Sequence, residues 1–209
     1  MKFFETLQNI WKIDELRNRI LLTLGLLLVY RFGAQVVLPG IDTAQLARLS
    51  EQTDGGLLGL LNAFTGGAFS NASVFALGIM PYISASIVVQ LMTIAIPYLQ
   101  KLQKEGESGR KKVTQITRWL TIGITLVQGP GYIYNLYNIL PSAAFVMQDS
   151  VAFVASSVII LTTGCIFAMW LGEKITDRGI GNGISLLIMV GIIATLPQSF
   201  VQDFGHLFF

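Results

Sequence analysis

Long uncharged runs dominate the pattern of hydrophobic and polar positions along the chain. Crossing a lipid bilayer as a helix takes about 20 predominantly apolar residues. Five runs are long enough, namely Ile20 to Leu38, Val74 to Ile96, Trp119 to Tyr137, Val151 to Leu171 and Ile184 to Val201. The pattern therefore predicts an all-α, polytopic membrane protein with five transmembrane helices.

Composition supports the same fold class. The 209 residues are 53% hydrophobic and 12% charged, and that charged fraction is about half of the value for an ordinary soluble domain. This excludes a soluble globular enzyme, and it excludes a disordered chain, which needs low hydrophobicity and high charge. The net charge of +2 gives no indication of nucleic-acid binding. Cys165 is the single cysteine, so no internal disulfide is expected.

The basic residues are unevenly distributed between the two sides of the predicted membrane. Of the 14 Lys and Arg residues, four precede Ile20, six lie in residues 97–118 and two lie in residues 172–183. A cytoplasmic N-terminus brings all three segments to the cytoplasmic side, which leaves Arg48 outside and Arg31 within the first span. Because cytoplasmic loops carry the excess of Lys and Arg, we expect this orientation.

One apolar stretch, residues 55–73, does not fit the scheme of spans. Its large apolar side chains are Leu57, Leu58, Leu60, Leu61 and Phe64. The Gly66-Gly67 pair ends the helical pattern after roughly ten residues, which is too short to cross the membrane. Two interpretations are open on these residues alone. The stretch forms a re-entrant half-helix at the end of a cavity, or it forms an amphipathic helix on the outer surface.

Two residues stand out within the predicted spans. Pro81 removes a backbone hydrogen bond and predicts a bend in the second span, although proline and small residues also serve ordinary helix packing. Arg31 is the only formally charged residue within any span. Its long side chain is expected to extend outward past Gln35 to the membrane surface.

Two connecting segments carry local signatures. Residues 179–183, GIGNG, follow no strand and lack the spacing of a nucleotide-binding loop. They predict a tight turn in which Asn182 caps the fifth helix. Residues 104–112, KEGESGRKK, mix charges of both signs around glycines. They predict a solvated cytoplasmic hairpin tip, with contact to anionic lipid as a secondary role.

The predicted spans hold few groups that could carry chemistry. None contains Asp, Glu or His, whereas proton- or sodium-coupled carriers usually keep such a group near the membrane midplane. There is no G-x-S-x-G motif, and His206 is the only histidine. We therefore predict no catalytic residue, no metal site and no cofactor. Half of an inverted-repeat small-solute transporter is the alternative, and a midplane charge or a bound solute would favour it.

Several segments together resemble the SecY family, the central subunit of the bacterial protein-translocation channel. They are residues 39–42 (PGID), 64–68 (FTGGA), 75–87 (FALGIMPYISASI), 104–110 (KEGESGR) and 169–185 (MWLGEKITDRGIGNGIS). The last three are long and unusual in composition, so the resemblance is specific. It covers nearly the whole chain and is weakest over residues 129–149 and the last few residues.

The resemblance implies an architecture that hydropathy alone does not give. SecY proteins have ten spans in two five-helix halves related by inverted pseudo-symmetry, and residues 1–209 match the amino-terminal half. The other five spans are expected in the same polypeptide or in a separate one. The family's architecture also implies a plug in the outer funnel at residues 57–71, which favours the re-entrant interpretation. The plug residues are Leu57, Leu58, Leu60, Leu61, Phe64 and Asn71.

Further residue roles follow from the resemblance. The implied hydrophobic pore ring contains Ile79, Ile83, Ile184 and Ile188. The implied lateral gate contains Pro81, Ser84, Ile87, Gln90 and Gln128. With Pro81 in it, the second span becomes a mobile gate helix. The cytoplasmic loop residues Arg110, Lys111 and Lys112 are expected to contribute to docking of partners.

The function implied by the resemblance is a channel and involves no bond chemistry. Such a subunit moves unfolded secretory proteins across the bacterial inner (plasma) membrane, and membrane segments into it. The implied partners are the second half of SecY, SecE and SecG, the SecA motor or the ribosome, polypeptides with signal sequences, and the lipid bilayer. Sequence-specific nucleic-acid binding is not expected. A collar of branched apolar side chains is poorly wetted, so it would hold back ions.

Overall fold

The computed structural model describes residues 12–46, 56–145 and 151–208, with side chains in the last helix as far as Thr195. The helices, in chain order, are α1 Asp14–Gly33, α2 Gly56–Phe64, α3 Met80–Ala95, α4 Pro97–Lys104, α5 Glu107–Ile139, α6 Val151–Arg178 and α7 Gly183–Phe208. Single 3₁₀ turns lie at Thr43–Gln45 and Ser142–Ala144. Over the described ranges, β-type pairing is limited to the isolated bridges Val37 to Ser73 and Ile41 to Phe145. The predicted all-α fold class is confirmed.

The number of membrane crossings stays a prediction. Of the described helices, α6 alone is long and apolar enough to span a bilayer by itself. The bent pair α3 and α4 would count as a second span if it is taken as one unit, and α7 is apolar over the shorter range Gly183–Thr195. Helix α1 has 20 residues but includes charged side chains near both ends.

The second predicted span begins later than its hydropathy indicates. Helix α3 starts at Met80 and not at Val74, so Pro81 lies in its first turn. The N–H groups of a first turn have no partner within the helix, and proline is therefore accommodated there without loss of a hydrogen bond. The predicted bend at Pro81 is wrong, because this proline begins the helix.

The bend lies instead at the other end of α3. The axes of α3 and α4 differ by 101° across Ile96. Pro97 is the first residue of α4, and Ile96 has the extended backbone (φ −106°, ψ 114°) that a residue before proline prefers. The steric effect of proline thus ends α3 where the hydropathy pattern ends the second span.

The basic segment after α4 is mostly helical. A turn of only Glu105 and Gly106 joins α4 to α5, which begins at Glu107. The predicted solvated hairpin tip lies at this turn, and Arg110, Lys111 and Lys112 follow it, exposed on the first turns of α5. Lys111 pairs with Glu107 at 3.0 Å, and this i, i+4 spacing supports a helix rather than a loop.

The buried core is organised around a segment that is not regularly helical, residues 65–79. Phe69, Ala72 and Ala76 belong to a first cluster of buried side chains. Its other large members include Leu38, Tyr132, Leu136, Phe153 and Leu161. Ala68, Phe75 and Ile79 belong to a second cluster. Its other large members include Tyr30, Leu171, Ile175 and Leu187.

The backbone of residues 65–79 finds hydrogen-bond partners on several elements. Leu38 N donates to Ala72 O at 2.9 Å, and Val74 N donates to Val36 O at 2.9 Å. The Tyr132 hydroxyl donates to Phe69 O at 2.9 Å. Backbone of this kind is tolerated at membrane depth only where protein satisfies its polar groups. These contacts fix the segment against the chain that follows α1 and against α5.

Candidate functional site

The short helix α2 ends where the sequence predicts. Its last residue is Phe64, and Gly66 and Gly67 follow with φ of +65° and +85°. Both values are left-handed conformations that glycine adopts without the strain another residue would have. The Thr65 hydroxyl donates to the carbonyls of the preceding turn and accepts a hydrogen bond from Phe69 N at 3.2 Å. The predicted break at the glycine pair is confirmed.

The end of α2 contacts α7 through a glycine. A Cβ atom on Gly191 would lie 3.0 Å from Phe64 O and 3.3 Å from Gly66 N. Both distances are tighter than ordinary van der Waals contact, so the absence of a side chain at Gly191 allows this approach. Residues 65 and 66 are buried beneath it. The turn that ends α2 is therefore packed against α7, and a re-entrant position of this half-helix stays a prediction.

Arg31 approaches the same turn from α1. Its Nη1 donates a hydrogen bond to the carbonyl oxygen of Gly66, and the side chain is half-buried. The expectation that Arg31 extends outward past Gln35 is wrong. A charged group within a membrane helix commonly pairs with backbone carbonyls, and the carbonyls at a helix C-terminus carry partial negative charge. The end of α2 supplies such a carbonyl within reach of Arg31.

Three of the four predicted ring isoleucines belong to or border the second cluster. Ile79 is 4% exposed within the second cluster. Ile83 and Ile184 pack against this cluster as partly buried residues. Ile83 N donates to Ile79 O at 3.1 Å, so these two side chains lie one helical turn apart. These three isoleucines therefore share one buried cluster as their neighbour.

Ile188 lies one turn further along α7, on its open face. It lines an apolar groove of about 340 Å³. The other lining residues are Ser185, Met189, Ile192 and Ile193. The i, i+3, i+4 spacing of this set is that of a single helix face. A role for the four isoleucines in a common ring stays a prediction.

The predicted plug residues are less buried than the turn that follows them. Leu58 packs against the first cluster, whereas Leu60 is 54% exposed. Leu61, Phe64 and Asn71 are half-buried. The side chain of Leu57 lies outside the described part of the chain. Helix α2 is therefore held mainly at its C-terminal end.

The predicted gate residues divide into two groups. Pro81 is buried in the first turn of α3. Ser84, Ile87 and Gln90 are exposed along that helix, with Ile87 at 52%, and Gln128 is exposed on α5. Their spacing of three residues places the exposed α3 residues on one side of the helix. Their role as a gate stays a prediction.

The connection between α6 and α7 follows its predicted chemistry. Asn182 Oδ1 accepts hydrogen bonds from Ile184 N at 3.1 Å and Ser185 N at 3.3 Å. The predicted cap is confirmed. It begins α7 one residue before Ile184, and so it determines where the ring and groove residues of this helix lie.

Arg118 and Glu173 connect α5 to α6 at the end of the bundle richest in basic residues. Arg118 Nε lies 3.0 Å from Glu173 Oε1, and Nη2 lies 2.5 Å from Oε2. Two parallel bonds of this kind orient a guanidinium against a carboxylate. The hydrogen bond to Glu173 raises the pKa of Arg118 above its usual value.

Three residues that hold the turn after α2 were not identified from the sequence. Gly191 permits the approach of α7, Asn62 Oδ1 accepts from Ser70 N at 3.0 Å, and Tyr132 binds Phe69 O. For Arg31 a signal existed, because a lone charge in a span predicts a carbonyl or carboxylate partner. The contacts of Gly191 and Tyr132 join residues far apart in sequence and have no local signature, whereas the hydrogen bond from Ser70 to Asn62 spans only eight residues. Across the described residues, no group of three His, Cys, Asp or Glu residues lies together as a metal site would require.

Comparisons with known proteins agree on one family. A family model described as SecY matches residues 73–208. The chain is 49% identical over 187 residues to protein translocase subunit SecY of Escherichia coli K12, with 90% of this chain and 42% of that protein covered. It is also 49% identical to SecY of Buchnera aphidicola from Acyrthosiphon kondoi, of which it covers 52%. The chain thus spans about half or less of the length of these relatives.

A solved structure supports the fold. The Sec61 chain in a canine ribosome-channel complex from the endoplasmic reticulum matches with a TM-score of 0.53 at 18% identity. The match covers 85% of this chain and 36% of that one. At this identity the match concerns the fold alone. Since the family model covers well over half of the residues and agrees with the close relatives, the chain belongs to the SecY family.

Proposed function

We propose that this chain forms the amino-terminal half of a protein-conducting channel of the Sec translocon. It moves unfolded secretory proteins across the bacterial inner membrane and membrane segments into it. One observation carries the proposal. The isoleucines at positions 79, 83 and 184 belong to or pack against one buried cluster with side chains of α1, α6 and α7, and the turn after α2 contacts α1 and α7.

This arrangement suits a seal that blocks ions because the pore is narrow and its apolar lining is poorly wetted. Branched apolar side chains bind neither water nor ions well, so a narrow collar of them is a barrier to ions. A polypeptide can displace such side chains without any specific binding chemistry. Helix α2, anchored at its C-terminal turn and less buried before it, suits a second closure above the collar. The role of residues 57–71 as the plug is part of this proposal.

The exposed side of α3 has the character of a gate surface. Ser84, Ile87 and Gln90 mix small, apolar and amide side chains that offer only weak contacts to a neighbouring helix. We assign them, with Gln128 and Pro81, to a lateral gate that a hydrophobic signal segment opens. The five spans at residues 20–38, 74–96, 119–137, 151–171 and 184–201 complete this half, with the N-terminus in the cytoplasm.

In this proposal, partner proteins complete the pore and supply the energy for transport. The second half of SecY closes the pore from the other side, and SecE and SecG complete the membrane complex. The SecA motor or the translating ribosome supplies the energy, and the chain itself is not an enzyme. Arg110, Lys111 and Lys112, exposed on α5, face the cytoplasm in this orientation and contribute to docking.

The test is reconstitution of the assembled complex in proteoliposomes. We expect a precursor with a signal sequence to become protected from protease in the lumen when SecA and ATP are present. The same precursor without its signal sequence is the control. Failure to protect the precursor, in a complex shown by mass to contain this chain and its partners, would contradict the proposed function.

A further inference from the structure

The contact between Arg31 and Gly66 is suited to a specific task. We infer that Arg31 is a positioning residue that keeps the half-helix α2 in its closed position by binding the carbonyl at its C-terminal end. The inference rests on the proposed function, because it names the residue that stabilises the closed plug. The accessibility of α2 in the resting channel, which this inference predicts, can nevertheless be measured without any transport.

The geometry of the turn exposes one carbonyl to Arg31. Gly66 N donates to Ala63 O at 3.1 Å, and Gly67 N donates to Asn62 O at 2.9 Å, so the carbonyls of Asn62 and Ala63 are bound within the turn. The carbonyl of Gly66 points out of this turn and accepts from Arg31 Nη1. A charged donor makes a stronger hydrogen bond to such an oxygen than a neutral one does.

Arg31 is not engaged by carboxylates in the part of the chain that the structure describes. The ion pairs there join Arg17 to Asp14, Arg19 to Glu15, Lys111 to Glu107 and Arg118 to Glu173. The guanidinium of Arg31 instead lies half-buried beside the turn. A positive charge in such a place is costly without a partner. The Gly66 carbonyl therefore stabilises the side chain, and the side chain stabilises the turn.

The hydrogen bond between Arg31 and Gly66 lies where it can hold α2 in place. Residues 65–70, apart from Gly67, are buried, whereas Leu58, Leu61 and Phe64 are only half-buried and Leu60 is exposed. The half-helix can therefore move away as a unit from a turn that stays in the core. Arg31 binds at the boundary between these two parts, and its Nη1 lies on the same side of Gly66 as Gly191. This hydrogen bond therefore holds the residue about which α2 would turn, and its loss frees that hinge.

The experiment measures how accessible α2 is in the assembled resting channel. Leu61→Cys is introduced in a Cys165→Ala background, and the rate of labelling by a water-soluble maleimide is recorded. We expect Arg31→Gln to raise the labelling rate and the resting ion leak about tenfold, the effect of losing one charge-assisted hydrogen bond. Arg31→Lys keeps the charge on a different head group and should give an intermediate rate. Arg19→Gln removes a charge from the same helix outside this contact and should match the parent.

A shortened channel separates positioning from a general loss of packing. In a channel lacking residues 57–61, Arg31→Gln should add no further leak, because there is no half-helix left to position. An equal increase in leak with and without residues 57–61 would overturn the inference, and so would an unchanged labelling rate in Arg31→Gln. If Arg31→Gln does not assemble, the same labelling assay is carried out on Arg31→Lys. A labelling rate in Arg31→Lys equal to that of the parent would then overturn the inference. Raised labelling in a channel that never protects a precursor would instead contradict the proposed function alone.

Discussion

Gly191 of α7 and Phe64 of α2 approach so closely that a Cβ on Gly191 would lie 3.0 Å from the Phe64 carbonyl oxygen. Helix α7 therefore carries two features of the proposed channel, the contact for the half-helix at Gly191 and the isoleucines at positions 184 and 188. They are separated by one to two helical turns. A shift of α7 would alter both together.

Gly191→Ala should loosen the half-helix. The added methyl group meets backbone atoms of Phe64 and Gly66, which cannot rotate away as a side chain would. We expect a several-fold higher resting ion leak in proteoliposomes. Gly123→Ala on α5 is the matched control, since a Cβ there meets nothing within 4 Å and alanine favours the helix. Equal leak in the two variants would show that the contact with α7 does not hold α2.

Tyr132→Phe should lower stability without changing the shape of the core. The phenol donates to Phe69 O at 2.9 Å, and its loss leaves a buried carbonyl without that partner. Such a loss costs about 1–3 kcal/mol, seen as a lower midpoint of thermal unfolding in detergent. Tyr134→Phe removes the same atom from an exposed residue of the same helix and should unfold like the parent. If Tyr132→Phe unfolds at the same temperature as the parent, the hydrogen bond makes no net contribution to stability.

Local chemistry predicted those parts of the site that depend on neighbours in sequence. The break at Gly66-Gly67 and the cap at Asn182 follow from the conformations that glycine and asparagine adopt. The position of Pro81 in α3 and the direction of Arg31 were predicted wrongly. Both depend on residues 65–79, whose irregular backbone is stable only because the chain after α1 and helix α5 supply hydrogen bonds and the neighbouring helices supply burial. A hydropathy pattern contains no information on those distant partners, so it extended the second span to Val74.

The pair Arg118 and Glu173 should couple α5 to α6. A double-mutant cycle with Arg118→Gln and Glu173→Gln should give a coupling free energy of about 1 kcal/mol, at the upper end for ion pairs near the surface. The reason is the two-bond geometry and the low exposure of the Glu173 side chain, 16%. The same cycle at Lys111 and Glu107, both highly exposed, should give about 0.3 kcal/mol. Coupling no larger at Arg118 than at Lys111 would contradict this account.

Two deletions should have different effects. Removing residues 57–71 deletes Ala68 and Phe69, which are buried in the two core clusters, so we expect poor assembly of the complex. Removing only residues 57–61 takes away the Leu61 carbonyl that accepts from Thr65 but leaves the turn itself and its hydrogen bonds to Asn62, Ala63 and Arg31. That channel should assemble and show a higher resting leak. Size-exclusion chromatography and conductance measure the two effects, and normal assembly after the longer deletion would show that residues 65–71 do not support the core.

The resting conductance of the assembled channel tests the isoleucine constriction most directly. Ile79 and Ile83 are replaced by serine together, and the control replaces Leu91 and Ile94, which are exposed on the same helix. We expect a strong rise in ion leak when Ile79 and Ile83 are replaced, because hydroxyl groups let water enter the collar. The replacement of Leu91 and Ile94 should leave the conductance equal to that of the parent. A fully assembled Ile79→Ser, Ile83→Ser channel as tight to ions as its parent would contradict it.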